Sequence, residues 1–155
     1  MRRPHPDVVE VRKAGVSEGD ALGALWFRSA RAAHGYLPRL QALTETEAIA
    51  IFRSLSAGLE LWVARRASVT LGLLALEEDC IDRLYVEPSA QGTGIGTRLI
   101  EHAKAQRPDG LWLFTHQKNA QARAFYERRG FRPARFGISP APESEPDVRY
   151  VWTGD

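Results

Sequence analysis

Sulfur is scarce in this chain, with one cysteine, Cys80, and one methionine in 155 residues. A lone cysteine excludes an intrachain disulfide and a cysteine-rich zinc site, and it fits a reducing compartment. Long apolar runs are also missing. The most continuous are Ala21 to Phe27 and Leu71 to Leu76, far short of the about 20 residues a spanning helix needs, so no membrane association is expected. The start, Met1-Arg2-Arg3-Pro4-His5-Pro6-Asp7, is basic but leads into no apolar stretch; no signal peptide is read, and a cytoplasmic protein is expected. Neither sign of charge dominates: 21 Lys+Arg against 19 Asp+Glu leaves +2, which argues against a dedicated nucleic-acid binder. What remains is an ordinary globular composition, 44% hydrophobic and 26% charged, and residues 1–155 are expected to form a single domain.

The pattern along the chain alternates between periods. Val8, Val9 and Val11 predict a strand over 8–14, and Ser17-Glu18-Gly19-Asp20 starts a helix whose apolar residues recur to about Tyr36. Thr44-Glu45-Thr46-Glu47 opens another helix, with Ala48, Ile49, Ile51, Phe52 and Leu55 as its expected buried stripe. Leu61 to Ala67, Val69 to Leu76 and Ile81 to Val86 read as an antiparallel meander. A helix follows from Gly92–Gly96 to about Gln106, then Leu111 to Thr115 as a strand expected to be covered on both faces. Asn119 caps a helix that Gly130 stops, and strands at Phe131 to Ile138 and Val148 to Thr153 flank a long loop from Ser139 to Pro146. This order predicts an α/β fold with a mixed sheet and helices on both faces.

The segment Leu84-Tyr85-Val86-Glu87-Pro88-Ser89-Ala90-Gln91-Gly92-Thr93-Gly94-Ile95-Gly96-Thr97 joins a strand to a helix through alternating glycines. Such a turn lets backbone N–H groups and the helix dipole converge on a phosphate. The Lys-Ser or Lys-Thr of a Walker loop is absent. A dinucleotide fingerprint fails as well, because Thr97 stands at its third glycine and no acidic residue follows at about 20 residues.

Gln91-x-x-Gly94-x-Gly96, preceded by Leu84-x-Val86-x-Pro88, instead resembles the acyl-CoA pyrophosphate loop of the GNAT superfamily of N-acetyltransferases. Asn119, Ala122, Phe125-Tyr126 and Gly130-Phe131 resemble that family's next block, and the two blocks together span Leu84 to Phe131. The resemblance implies a GNAT-like fold: a mostly antiparallel sheet of about seven strands with one splayed parallel pair. It further implies acetyl-CoA as co-substrate, no metal, and a primary amine of a small molecule or peptide as acceptor, with direct attack in a ternary complex. Leu84, Tyr85 and Val86 are then expected along the pantetheine, the backbone of Gln91, Gly92, Thr93, Gly94, Ile95, Gly96 and Thr97 at the pyrophosphate, and Asn119 and Phe125 beside them. Oligomeric state stays open, a homodimer included.

Acetyl transfer needs a proton for the departing thiolate and a sink for one from the amine. A phenol with pKa ~10 stays protonated at neutral pH and can donate to a thiolate whose conjugate acid lies near ~8.5; the resemblance assigns this role to Tyr126. Many family members carry a glutamate eleven residues before the loop's glutamine, where this chain has Cys80. Asp82, two residues on and on the same side by strand alternation, is the expected base. No His lies beside Cys80 in sequence to activate it as a nucleophile. His34 and His116 are expected to border the acceptor site, without metal-ligand spacing. Loss of catalysis with retention of the pocket, an idle acyl-CoA-binding or regulatory domain, is the alternative.

The near-zero net charge conceals a division. Residues 98–135 hold nine Lys/Arg against three Asp/Glu, whereas residues 139–155 hold one against four. An anionic donor near the first group and a cationic amine near Glu143, Glu145 and Asp147 are expected.

Overall fold

The computed structural model describes residues 8–155; the expected surface position of His5 lies outside them. Seven strands, β1 (Val9–Lys13), β2 (Glu60–Arg66), β3 (Val69–Glu77), β4 (Cys80–Val86), β5 (Leu111–His116), β6 (Arg132–Ile138) and β7 (Pro146–Trp152), form one sheet in the order β1-β2-β3-β4-β5-β7-β6. Every neighbouring pair is antiparallel except β4 and β5. Among the described residues five α-helices complete the fold: α1 (Gly19–Ala33), α2 (Pro38–Ala42), α3 (Glu45–Ser56), α4 (Ile95–Gln106) and α5 (Ala120–Glu127).

Two apolar layers sandwich the sheet. On one face Ile95, Leu99, Ile100 and Ala103 of α4, with Tyr126 and Phe131, pack on Leu74, Leu76, Ile81, Leu111, Leu113, Val148, Tyr150 and Trp152. A Cβ on Gly72 of β3 would lie 2.9 Å from both Ile95 and Leu99, so α4 sits on the sheet only because no side chain intervenes. On the other face Leu22, Leu25, Trp26 and Phe27 of α1 and Phe52 of α3 cover Val63 and Leu73.

That second layer covers only part of the sheet. Its strand residues come from β2, β3 and β4, and none from β5, β7 or β6. Phe114 is consequently 54% exposed, against the expectation that β5 is covered on both faces. Ile51 and Leu55 of α3 are also exposed. A helix lying on a partly covered sheet buries a narrower stripe, here Ala48 and Phe52.

Local chemistry sets most of the boundaries. Thr44 caps α3 in a box with Glu47, each accepting from the other's backbone N–H, at 3.2 and 3.0 Å. Asn119 accepts from the Ala122 amide at 3.1 Å, and Gly130 turns the chain with φ +88°. The short helix α2 escapes the periodicity, because five residues give no repeat to read; its Pro38 occupies the first turn, where a missing N–H costs nothing.

Candidate active site

The parallel pair β4–β5 is joined at one register position, Cys80 with Trp112, beside a hydrogen bond from the Trp112 amide to the Asp79 carbonyl at 3.0 Å. Beyond it the strands separate. Each keeps its outer neighbour, β3 for Arg83 to Val86 and β7 for Leu113 to His116, while their inner edges face a cleft of about 1360 Å³. Leu84, Tyr85, Asn119 and Tyr126 line this cleft, as do His34, His116, Glu143 and Asp147.

At the end of β4 the chain passes through a 3-10 turn, Pro88–Ala90, into the glycine loop. Gly92 and Gly94 have φ +76° and +89°, a region that L side chains avoid. Arg98 is the first amide of α4 to find a carbonyl, that of Gly94 at 3.1 Å. Among the described residues the six N–H groups from Gly92 to Thr97 donate to no backbone carbonyl, and the positive end of a three-turn helix stands behind them. Gln91 reaches back to the Val86 carbonyl and Thr93 to that of Ala90, which fixes the loop. Phe125 packs where a Cβ on Gly96 would lie, at 3.0 Å. Arg129 covers the ring of Phe125 at 3.7 Å and bonds the Thr97 hydroxyl, so the starts of α4 and the end of α5 are tied together.

Tyr126 is 8% exposed, with its ring against Phe125, Phe131 and Tyr150. Its hydroxyl has no hydrogen-bond partner among the described residues, and burial, with a smaller contribution from Tyr85, raises its pKa well above that of an ordinary phenol. The group therefore keeps its proton at any physiological pH.

Asp82 occupies a β-bulge. Ala75 pairs with Arg83 and Leu76 with Ile81, which leaves Asp82 as the extra residue. Beyond the bulge Leu84 and Val86 pack in the α4 layer with Ile81, while Arg83 and Tyr85 turn to the α1 and α3 side. Asp82 shares with Cys80 a shallow cavity bordered by Trp112 and Phe114, touches the edge of the main cleft, and pairs loosely with Arg83 at 3.8 Å. The Cys80 thiol is pushed up to about 12 by burial, then by Asp82 and Glu77, so it is not a ready nucleophile.

The three carboxylates of the acidic tail segment serve different ends. Glu143 bonds His116, Glu145 pairs with Lys118 at 3.6 Å, and Asp147 is buried on β7. Sequence separation hid these partners: nothing local relates Glu143 or Tyr36 to His116, 27 and 80 residues away. Among the described residues no helix is long and apolar enough to cross a membrane.

Comparison with known proteins agrees with this architecture. A family model described as an acetyltransferase (GNAT) domain matches residues 57–133. The peptidyl-lysine N-acetyltransferase YjaB of Escherichia coli is 33% identical over 126 residues, 81% of this chain and 83% of that one. The peptidyl-lysine N-acetyltransferase YiaC of the same organism is 30% identical over 78% of this chain and 82% of that one. The solution structure of apo YjaB superposes with a TM-score of 0.79 over 96% of this chain and 99% of that one, at 30% identity. YncA of Salmonella typhimurium, a structure described as holding its cofactor acetyl-CoA, shares the fold at a TM-score of 0.67 and 15% identity, with 96% of this chain and 95% of that one covered. The chain belongs to the GNAT acetyltransferase family and is an N-acetyltransferase.

Proposed function

We propose that this enzyme moves the acetyl group of acetyl-CoA to a primary amine by direct attack in a ternary complex, with the lysine side chain of a peptide as the first acceptor class to test. The observation that carries the reading is the single-pair splay of β4 from β5, with β4 leading through a short turn into a loop and helix start whose six N–H groups find no backbone carbonyl among the described residues. The diphosphate of the coenzyme suits those donors, and its pantetheine amides suit the inner edges of β4 and β5, as an added strand would. The family names of YjaB and YiaC support the acceptor class.

The proposed chemistry is general acid catalysis by Tyr126. The amine nitrogen forms a bond to the thioester carbon, the C–S bond breaks, and the Tyr126 proton goes to the departing sulfur. Asp82, the base expected from the sequence, stands at the margin of this cleft, exposed and 3.8 Å from Arg83.

Thiol release from acetyl-CoA, followed over a panel of lysine peptides and small amines, tests the function. Acceptor-dependent release is expected. Tight coenzyme binding with no release for any acceptor would reduce the protein to an idle acyl-CoA-binding domain. A Gly94→Val substitution tests the loop separately: a β-branched residue at φ +89° is strained and moves the amides. Coenzyme affinity, measured by titration calorimetry, should fall about 10-fold or more, an amount equal to ~1.4 kcal/mol. Unchanged affinity would remove the loop from the coenzyme site.

A further inference from the structure

Four side chains on the acceptor side of the cleft form a cluster to which proton donation by Tyr126 gives no part. His116, at the end of β5, has both ring nitrogens engaged: Nδ1 by the Tyr36 hydroxyl at 2.6 Å and Nε2 by Glu143 Oε1 at 2.5 Å. With the carboxylate accepting from Nε2–H, the Tyr36 hydroxyl donates to Nδ1, and the imidazole is locked in one tautomer. The three residues come from the α1–α2 turn, from β5 and from the β6–β7 loop.

His34, the residue that ends α1, stands against this assembly. Its ring centroid lies 4.9 Å from that of His116, 5.8 Å from Tyr36 and 6.5 Å from Tyr85. The ring lines the cleft, and among the described residues neither of its nitrogens has a hydrogen-bond partner. Tyr85 connects the two sides of the reaction space, being in ring contact with His34 and close enough to Tyr126 to influence its ionisation.

We infer that His34 is the base of the reaction, accepting the amine's proton through an open ring nitrogen while His116, held by Tyr36 and Glu143, acts as the positioning residue behind it. The inference rests on the acetyl-transfer reading. In the balanced step the acceptor enters as the neutral amine, its ammonium proton already lost to solvent; the C–N bond forms as the C–S bond breaks, Tyr126 gives one proton to sulfur, and the nitrogen gives its second proton to His34. The resulting imidazolium is offset by the Glu143 carboxylate across His116; Tyr126 then regains a proton from solvent and His34 gives its proton up to solvent.

Three alternatives fare less well. His116 has no open nitrogen. Asp82 is exposed, pairs with Arg83 and faces the shallow cavity beside Trp112. The Cys80 thiol keeps its proton. Burial first, and the facing His116 second, hold the His34 pKa down at about 4 against the pull of Glu143, so the free ring is neutral but a weak acceptor, and its part in the reaction rests on its open nitrogen in the cleft and on Glu143 favouring the charged form. The groups facing it are Tyr36 from the turn, Tyr85 from β4, His116 from β5 and Glu143 from the loop.

The test uses the full chain, acetyl-CoA and a lysine peptide that the wild type acetylates, with single-turnover rates by rapid quench. His34→Gln should lower the transfer rate about 10²-fold while coenzyme affinity and the KM for the peptide stay within about threefold. His34→Ala should behave alike and be rescued by added imidazole, which a structural role would not allow. Glu143→Gln should shift the pH profile of the transfer rate. A His34→Gln rate within threefold of wild type, a loss confined to KM, or failure of imidazole to rescue would overturn the assignment. Loss of the rate in Asp82→Asn with its retention in His34→Gln would move the proton to Asp82. A wild type that releases no thiol with any acceptor refutes the transfer reading itself, a result distinct from all of these.

Discussion

Tyr126→Phe should lower acceptor-dependent thiol release by about 10²-fold, or ~3 kcal/mol in the barrier. The change removes one oxygen. The Phe125, Phe131 and Tyr150 ring contacts survive it, and no hydrogen bond among the described residues is lost. Stability is therefore expected to move by less than about 1 kcal/mol, and coenzyme affinity to be unchanged. The variant isolates the proton. With a phenol held above its ordinary pKa of ~10, the wild-type rate should also show no alkaline limb from this group below pH ~10. Steady-state rates, calorimetric coenzyme titration and thermal melts on one preparation decide the matter; a Phe variant with wild-type turnover would assign the leaving thiolate's proton to another group or to water.

The second large effect is on folding. Phe52 is 1% exposed on α3, 6.0 Å from the Trp26 ring, and lies under the Arg83 guanidinium at 5.7 Å. Arg83, whose side chain is 12% exposed, otherwise has Trp26 at 5.5 Å, Ser56 and the loosely paired Asp82 at 3.8 Å. Phe52→Ala removes the ring from the layer over β2, β3 and β4, and leaves the half-buried Arg83 cation with one aromatic face instead of two. A loss of about 3–5 kcal/mol is expected, a large part of the 5–15 kcal/mol typical of a whole domain, with a melting point lower by about 10–15 °C. Phe52→Leu should recover much of it. A drop of only a degree or two in the alanine variant would mean that α3 contributes little to the layer over β2, β3 and β4.

The strands and the glycine loop were legible in the sequence, and for a common reason. Strand alternation, the Thr44 box, the Asn119 cap and the glycine loop are all relations between residues a few positions apart, and each was found where it was expected. The other side of the cleft depends on relations across the fold. The bulge at Asp82 follows from pairing with β3, and no residue within β4 announces it. Covering of β5 depends on where α1 and α3 come to rest. His34 and His116 were visible as candidates, but their difference was not: one ring is saturated by Tyr36 and Glu143 and the other is left open. The acidic segment after Ser139 likewise resolves into an imidazole partner, a lysine partner and a buried carboxylate, three environments that a charge count treats as one.

The single-pair splay of β4 from β5 also bears on the protein's thermodynamics. A sheet that stops pairing after one position leaves amide donors and acceptors with no strand partner, at the centre of the molecule and not at its rim. The free enzyme is in that sense an unfinished sheet. Any molecule that supplies an amide backbone of its own between the two strands completes it, and its binding energy adds directly to the stability of the native state. Coenzyme seated between the strands as proposed should therefore slow amide exchange and raise the melting temperature in both halves of the sheet at once.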